Sequence, residues 1–233
     1  MTRWERKILQ IVRKVNPNNP IQYVHHIVKE DARKKLDQQL ATCQTCKISS
    51  SSRTLTYGST DAHILVLTNA VLPEQNIKKQ ITYPLIGSKA WDLIVTTFQF
   101  YQIDISSCFF MNTVNCCPYL TLEQDILYRI PNLQEKESCK PYLDRAIEII
   151  KPKFMIILGN VALNSLIKAN VDSIHGHLLD INGIPSIATF GPDYLLKCQE
   201  QDPDMYECEK NIFFKDFEKI SEEIHLIDKK EHI

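Results

Sequence analysis

The sequence predicts an α/β fold of three layers, α/β/α, with a central, mostly parallel sheet of four strands and helical extensions at both ends. Two observations support this fold class. Short, continuous apolar runs of strand length alternate with segments in which apolar residues recur at helical spacing. Such apolar runs are typical of parallel strands that helices cover on both faces. The chain of 233 residues is long enough for one domain of this kind with extensions.

The first forty residues form two predicted helices. The apolar residues of the first helix recur at helical spacing and are Trp4, Ile8, Ile11 and Val15. A segment rich in Asn and Pro at residues 16–20 interrupts this pattern. A second apolar stripe, flanked by basic residues, then runs from Val24 to Leu40.

Strands and helices alternate through the middle of the chain. The four predicted strands span residues 63–67, 107–114, 154–158 and 184–190. The predicted helices between them span residues 91–100, 139–150 and 162–168. After the last strand, an acidic loop beginning at Gln199 leads to a final predicted helix over residues 212–227. Because ligands in this fold class bind beyond the carboxyl ends of the strands, we expect functional residues there.

Charge is distributed unevenly along the chain. Residues 1–40 carry nine Lys and Arg against four Asp and Glu, whereas residues 198–233 carry five against eleven. We therefore divide the chain into a basic helical extension (1–40), a central domain (41–197) and an acidic extension with a final helix (198–233). Such extensions can bind a charged protein partner or phosphate groups. The alternative is that the two solvated helix faces attract each other.

No apolar stretch is long enough to span a bilayer, and the N-terminus lacks the apolar run of a signal peptide. We therefore expect an intracellular protein of the cytoplasm or nucleoid, with reduced thiols and no membrane partner. In that setting, eight cysteines favour metal ligation over a disulfide framework.

Four of these cysteines have the spacing of a metal centre. Cys43 and Cys46 form a C-x-x-C pair, Cys116 ends a strand-like run, and Cys139 begins a helix-like run. Four thiolates suit either Zn²⁺ or an iron–sulfur cluster. The alternative is that all four are reduced cysteines without a metal.

Seven short motifs follow one another in the central domain. They are Cys-Gln-Thr-Cys at 43–46, Leu-Thr-Asn-Ala-Val-Leu at 67–72, Pro-Leu-Ile-Gly at 84–87, Met-Asn-Thr-Val-Asn-Cys at 111–116, Cys-Lys-Pro-Tyr-Leu at 139–143, Leu-Gly-Asn-Val-Ala at 158–162 and Gly-Pro-Asp-Tyr-Leu-Leu at 191–196. Each motif alone occurs by chance in many chains. Their order and intervals together resemble the iron–sulfur branch (family 4) of the uracil-DNA glycosylase superfamily, from about residue 41 to residue 197.

This resemblance implies a [4Fe–4S] cluster with Cys43, Cys46, Cys116 and Cys139 as ligands. Cys117 competes with Cys116, because adjacent residues of an extended segment point to opposite sides and only one can face the site. A structural zinc is the alternative cofactor, since four thiolates suit both. The long interval between Cys116 and Cys139 predicts an insertion around residues 121–131.

The resemblance also indicates the active positions, several of which are changed. The family's loop Glu corresponds to Asn69, whose amide can position a water but cannot accept its proton. The stacking Phe corresponds to Leu85 and the His of the last motif to Gly191, while the Asn that reads the base edge is kept as Asn112. We therefore predict Asn69 as the water-positioning residue and Asn112, Leu85 and Gly191 at the base. Asn112 at a strand end has another explanation, which is that it caps a turn.

Three residues are candidates to replace the lost groups. His175 or His177, before the last strand, could supply an imidazole, and Tyr83 could supply an aromatic ring. A loop histidine of this kind is more often simply solvated.

Two functions follow from the resemblance. The first is a glycosylase that excises uracil or a modified pyrimidine from single-stranded DNA or from a base flipped out of a duplex. The second is a non-catalytic nucleic-acid-binding or assembly subunit of a replication, repair or transcription complex. A small-molecule hydrolase or a nucleotide-binding enzyme ranks last, because the chain has six glycines and no phosphate-binding glycine-rich loop.

Overall fold

The structure is a computed structural model that describes residues 20–76, 81–122 and 125–231, together with Arg6. The first predicted helix, with Trp4, Ile8, Ile11 and Val15, lies outside the described residues. The strands are β1 (Arg53–Thr54), β2 (Tyr57–Gly58), β3 (Ile64–Ala70), β4 (Ile81–Thr82), β5 (Cys108–Val114), β6 (Tyr119–Leu122), β7 (Asp125–Tyr128), β8 (Phe154–Leu158), β9 (Leu178–Ile181) and β10 (Ile184–Thr189). The α-helices are α1 (Pro20–Thr42), α2 (Pro73–Asn76), α3 (Lys89–Phe100), α4 (Leu133–Ile150), α5 (Asn160–Asn164), α6 (Val171–Ile174), α7 (Pro192–Gln201) and α8 (Pro203–Glu231).

The predicted α/β class with a mostly parallel sheet is confirmed. The main sheet has the order β2-β5-β3-β8-β10-β9, and its four central strands are parallel. These four are the strands that the apolar runs predict. Two short antiparallel strands, β2 and β9, extend the sheet at its edges. The sequence pattern did not reveal them, because β2 has only two residues and β9 is half exposed.

The core lies on both faces of the central strands. Val66 of β3 pairs with Phe110 of β5 on one side and Ile156 of β8 on the other, and all three side chains are fully buried. Burying a side chain of this size stabilises the fold by about 1.5–3 kcal/mol. Leu36 of α1 and Phe217 of α8 belong to the same core, so helices from both ends of the chain pack on the central sheet.

Two helices differ from the predicted boundaries. The acidic segment after Gln199, predicted as a loop, is helical except at Asp202, so that prediction was wrong. Pro203 ends α7, because a proline lacks the backbone N–H that would continue the helix, and it is well tolerated at the first position of α8. Helix α4 begins at Leu133 rather than at residue 139. A capping box fixes this start, because Asn132 and Glu135 each accept the other's backbone N–H at 2.9 Å.

Helix α5 ends at Asn164, earlier than predicted. Among the described residues, no helix has both the length and the apolar character needed to cross a bilayer. The division of the chain into segments 1–40, 41–197 and 198–233 stays a prediction.

Candidate functional site

A cleft of about 450 Å³ opens at the carboxyl end of the parallel sheet. Asn69 near the end of β3, Cys117 after β5, Gly159 after β8 and Gly191 after β10 contribute to its walls. In open α/β sheets, this end is where ligands bind, because the strand ends and the following loops converge there. Of the predicted site residues, Asn69 and Gly191 are therefore brought together.

The Asn69 side chain is held at both ends by protein groups. Its Oδ1 accepts hydrogen bonds from the backbone N–H groups of Val161 (3.1 Å) and Ala162 (3.2 Å) at the start of α5. Its Nδ2 lies 3.4 Å from each carboxylate oxygen of Asp193. The amide is therefore fixed in orientation, and its donor group points toward a carboxylate.

Asp193 is a cleft residue for which the sequence pattern indicated no role. It lies in the first turn of α7 and is half-buried. Burial raises the pKa of its carboxyl, and hydrogen bonds from Asn69 and from the backbone N–H groups of Asp193 and Tyr194 oppose this rise. The available signal was an acidic residue two positions after Gly191, within the last motif.

Gly159 and Gly191 have no side chains that would overlap the Asn69–Asp193 pair. A Cβ on Gly191 would lie 2.5 Å from Asp193 Oδ1 and 3.0 Å from Asn69 Nδ2, and a Cβ on Gly159 would lie 2.5 Å from Asn69 Nδ2. Gly191 has a φ of −71°, which any residue can adopt. Space, rather than backbone conformation, is therefore what favours glycine at position 191.

Leu85 and Asn112, the other predicted base-binding residues, are not among the residues that line this cleft. Leu85 is buried and has a φ of 60°. Asn112 is completely buried on β5, where its Oδ1 accepts a hydrogen bond from Thr68 Oγ1. Its Nδ2 has no hydrogen-bond partner in the described part of the chain. Their roles at a base stay predictions.

The candidate replacements for the lost imidazole and ring also lie outside the cleft lining. His175 Nδ1 is 3.1 Å from Asp216 Oδ1, and its ring stacks on Phe190 with 5.8 Å between centroids. His177 is exposed and contacts the His175 carbonyl. Tyr83 is exposed and packs in a separate aromatic cluster.

Aromatic side chains that the sequence analysis did not identify line the cleft. Phe190 follows β10, and its ring lies 5.6 Å from that of Tyr194 on α7. Tyr128 of β7 lies on another wall. Phe190 is buried, whereas Tyr128 and Tyr194 are partly exposed. The two tyrosine rings therefore offer flat surfaces on which a nucleobase can stack.

The predicted insertion around residues 121–131 contains most of a β-hairpin, β6–β7, beside the cleft. Arg129, just after β7, makes a bidentate contact with Glu135 of α4, with N–O distances of 2.8 and 2.6 Å. Hydrogen bonds from Arg129 are the main reason that the pKa of Glu135 is lowered. This pair joins the hairpin to the helix that carries Cys139.

The predicted metal ligands lie on the side of the molecule that carries the cleft. Cys46, Cys116 and Cys139 belong to one small apolar cluster with Ile48 and Val114. Burial raises the pKa of Cys116 to about 12 and that of Cys139 to about 11, and negative charge on the neighbouring thiols adds to both shifts. These three thiols therefore surround one apolar cluster.

Cys43 and Cys117 differ in their surroundings. Cys43 is half-buried, contacts Thr45 Oγ1 at 3.1 Å and is hydrogen-bonded to Tyr142, and its negative charge contributes to the pKa of Cys116. Cys117 lines the cleft, and burial alone raises its pKa to about 12. These surroundings favour Cys116 over Cys117 as the fourth member of the thiol group.

Arg53 joins the two parts of the chain that carry these cysteines. Its guanidinium donates a 2.6 Å hydrogen bond to the Ala41 carbonyl, just before the C-x-x-C pair, while its backbone forms a bridge with Cys116. All eight cysteines are free thiols. Among the described residues, no set of three or more His, Cys, Asp and Glu side chains is already arranged around a metal position. The chemistry of the donors, four free thiols around an apolar cluster, nevertheless fits a thiolate-bound metal centre.

Comparison with known proteins identifies relatives of one kind. A family model described as the uracil DNA glycosylase superfamily matches residues 19–218. A type-4 uracil-DNA glycosylase from Thermotoga maritima is 27% identical over 148 residues, which cover 56% of this chain and 73% of the relative. Proteins of the same name from Sulfurisphaera tokodaii and Pyrobaculum aerophilum are 26% and 25% identical, over 55% and 58% of this chain. The matched segments span only 55% and 64% of those two relatives.

Proposed function

The chain belongs to the uracil-DNA glycosylase superfamily, and we propose that it binds DNA and hydrolyses the N-glycosidic bond of uracil or a modified pyrimidine. The substrate base would be in a single strand or flipped out of a duplex, because this chemistry needs access to C1′ and to the base edge. The observation that carries the proposal is the cleft at the carboxyl end of the sheet. It combines an amide and a carboxylate with aromatic walls.

The dimensions and walls of the cleft support a nucleotide as its ligand. A volume of about 450 Å³ lies within the usual range of small-molecule sites and exceeds what one base requires. The partly exposed rings of Tyr128 and Tyr194 supply aromatic faces for stacking. The exposed Lys197 at the cleft can contact a backbone phosphate.

We further propose that Cys43, Cys46, Cys116 and Cys139 hold a [4Fe–4S] cluster. The type-4 relatives and the four free thiols near one another support this assignment. Such a cluster would act as a cross-link that ties the segment after α1 to the strand end and to α4. Structural zinc is the alternative. Iron and zinc contents of the purified protein distinguish them, with about four irons per chain expected for the cluster.

The catalytic proposal is tested by measuring base release directly. The full chain is incubated with single- and double-stranded oligonucleotides that each contain one uracil or one modified pyrimidine, and the free base is quantified by mass spectrometry. Release above a heat-inactivated control from at least one oligonucleotide is expected. No release from any of them would contradict hydrolysis.

A non-catalytic nucleic-acid-binding or assembly subunit is the second candidate. The observation that favours it is the position of Asn112, whose fully buried side chain is absent from the cleft lining. Salt-dependent DNA binding without base release, or stable capture of a protein partner by the charged ends of the chain, would support this function. Under either function we expect the protein to act inside the cell, in the cytoplasm or nucleoid.

A further inference from the structure

We propose that Asp193 is the catalytic carboxylate, which accepts a proton from the attacking water, and that Asn69 is the positioning residue that fixes it. This inference rests on the proposed glycosylase function. The resemblance places the family's Glu at position 69 on the β3 side of the cleft. In this chain the carboxylate would instead come from the start of α7, and the β3 side would supply the amide that orients it.

The contacts around Asn69 argue for a positioning role. Its Oδ1 is occupied by two backbone N–H groups, at 3.1 and 3.2 Å, so the amide cannot rotate without losing both. Its Nδ2 is thereby directed at the Asp193 carboxylate, 3.4 Å away. An amide cannot accept a proton from water at neutral pH, whereas a carboxylate can. Asp193 is thus the member of the pair that is able to activate a water.

The surroundings of Asp193 differ from those of an ordinary helix-start acid. Acidic residues are common in the first turn of a helix, where the helix dipole stabilises them. Asp202, just before α8, is an ordinary capping acid: it is exposed and accepts a hydrogen bond from the Met205 N–H at 3.0 Å. Asp193 instead lies in the cleft wall, in a space that exists only because Gly191 has no side chain. Helix capping alone does not require that space.

The reaction balances with Asp193 as the proton acceptor. The water oxygen forms a bond to C1′ as the bond between C1′ and the base nitrogen breaks, and the base leaves with the electron pair. Asp193 takes the water proton, which then passes to the departing base or to solvent. The products are the free base and an abasic site with a hydroxyl on C1′. Before it takes the proton, the carboxylate also faces the positive charge that develops on the sugar, as carboxylates do in glycoside hydrolysis.

The test compares two matched substitutions, Asp193→Asn and Asp202→Asn. Each removes one acidic charge near the start of a helix while keeping the size of the side chain. The amide oxygen of Asn can still accept the cap hydrogen bond that Asp202 accepts from Met205. The measurement is the single-turnover rate of base release from a single-stranded oligonucleotide carrying one deoxyuridine, or the modified pyrimidine that the wild-type chain releases. We expect D193N to lose about 10²- to 10⁴-fold and D202N to stay within about twofold.

A third variant, Asp193→Glu, keeps the carboxylate and guards against a folding defect. Its rate should exceed that of D193N, and melting curves should show all three variants folded. A folded D193N within about threefold of wild type would overturn the role of Asp193 while leaving the glycosylase function standing. A wild-type chain that binds DNA but releases no base would overturn both.

The positioning role of Asn69 is tested separately by the dependence of the base-release rate on pH. Base release requires the deprotonated carboxylate, so the rate falls as the pH drops through the pKa of Asp193. The hydrogen bond from Asn69 lowers that pKa, so Asn69→Ala should move the acid limb of the profile to higher pH. The charged residues that also face the cleft or act on Asp193 stay unchanged, namely Glu74, Arg129, Asp172 and Lys197. A lower rate with an unmoved acid limb would contradict positioning.

Discussion

Gly191 shows how one residue can reorganise a site. The family has a His at this position, so the glycine leaves no imidazole to contact the leaving base. In the structure its missing Cβ leaves the volume in which the Asp193 carboxylate approaches Asn69. Gly191 cannot supply the family's imidazole, but it provides the space for the Asn69–Asp193 pair. The proposed function therefore depends on residues 69, 191 and 193 as a set.

The substitution Gly191→Ala tests this dependence. The added Cβ would lie 2.5 Å from Asp193 Oδ1 and 3.0 Å from Asn69 Nδ2, so the pair cannot keep its present arrangement. We expect base release to slow by at least about tenfold, within the range for misplacing a general base. In an Asp193→Ala background, the same substitution should have little further effect, because no carboxylate remains to be displaced. Equal effects in both backgrounds would contradict the steric explanation.

Helix α4 links the cleft to the group of cysteines. Its start is fixed by the Asn132–Glu135 capping box, and Glu135 also holds Arg129 beside the cleft. Cys139, about one turn beyond Glu135, contributes to the apolar cluster of thiols. The hairpin β6–β7 and the cysteine site are therefore positioned by the same element. A change at its N-terminus affects both.

Two substitutions on helix α4 compare how much a buried ion pair and an exposed one contribute to the free energy of unfolding. Glu135→Gln removes the charge of a nearly buried carboxylate that pairs with Arg129. We expect the free energy of unfolding to fall by about 1–2 kcal/mol, since a charge-assisted contact and a cap are both weakened. Glu148→Gln breaks the exposed pair with Arg145 and should cost at most about 0.5 kcal/mol. Urea denaturation measures both, and equal effects would contradict the importance of burial.

The molecule as a whole is held together by two kinds of long-range contact. Apolar residues of α1 and α8 pack on the central sheet, so both ends of the described chain contribute to one core. Arg53 connects the segment after α1 to the end of β5, and Cys46, Cys116 and Cys139 from three parts of the chain share one apolar cluster. A metal centre on these thiols would therefore stabilise the packing of several elements at once.

Paired cysteine variants test this contribution. Cys116→Ser should lose most of the bound iron and lower the melting temperature, because a ligand of the proposed cluster is removed. Cys117→Ser changes the adjacent buried thiol, which the other thiols do not influence, and should retain its iron. Iron analysis and thermal melting of both proteins give the comparison. Loss of iron only in C117S would assign the ligand to Cys117 instead.

The central strands and the order of helices around them were predictable from the sequence. Runs such as the one from Ile64 to Leu67 are apolar at every position and of strand length, which is typical of a buried parallel strand. The cysteine pair and the strand-end motifs could also be recognised in the sequence, because each is a short stretch of chain. The two edge strands and the acidic part of α7 and α8 were not, since half-exposed segments have weak apolar periodicity.

The pairing of Asn69 with Asp193 required the tertiary structure. The two residues are 124 positions apart, and parallel pairing of β3, β8 and β10 brings their strand ends to one edge. Whether a polar side chain at such an end faces water, a backbone donor or another side chain depends on contacts that local sequence does not specify. The type of fold followed from the pattern of apolar residues, because burial acts on each segment separately. The arrangement of the candidate site followed from packing, because it depends on the space between segments.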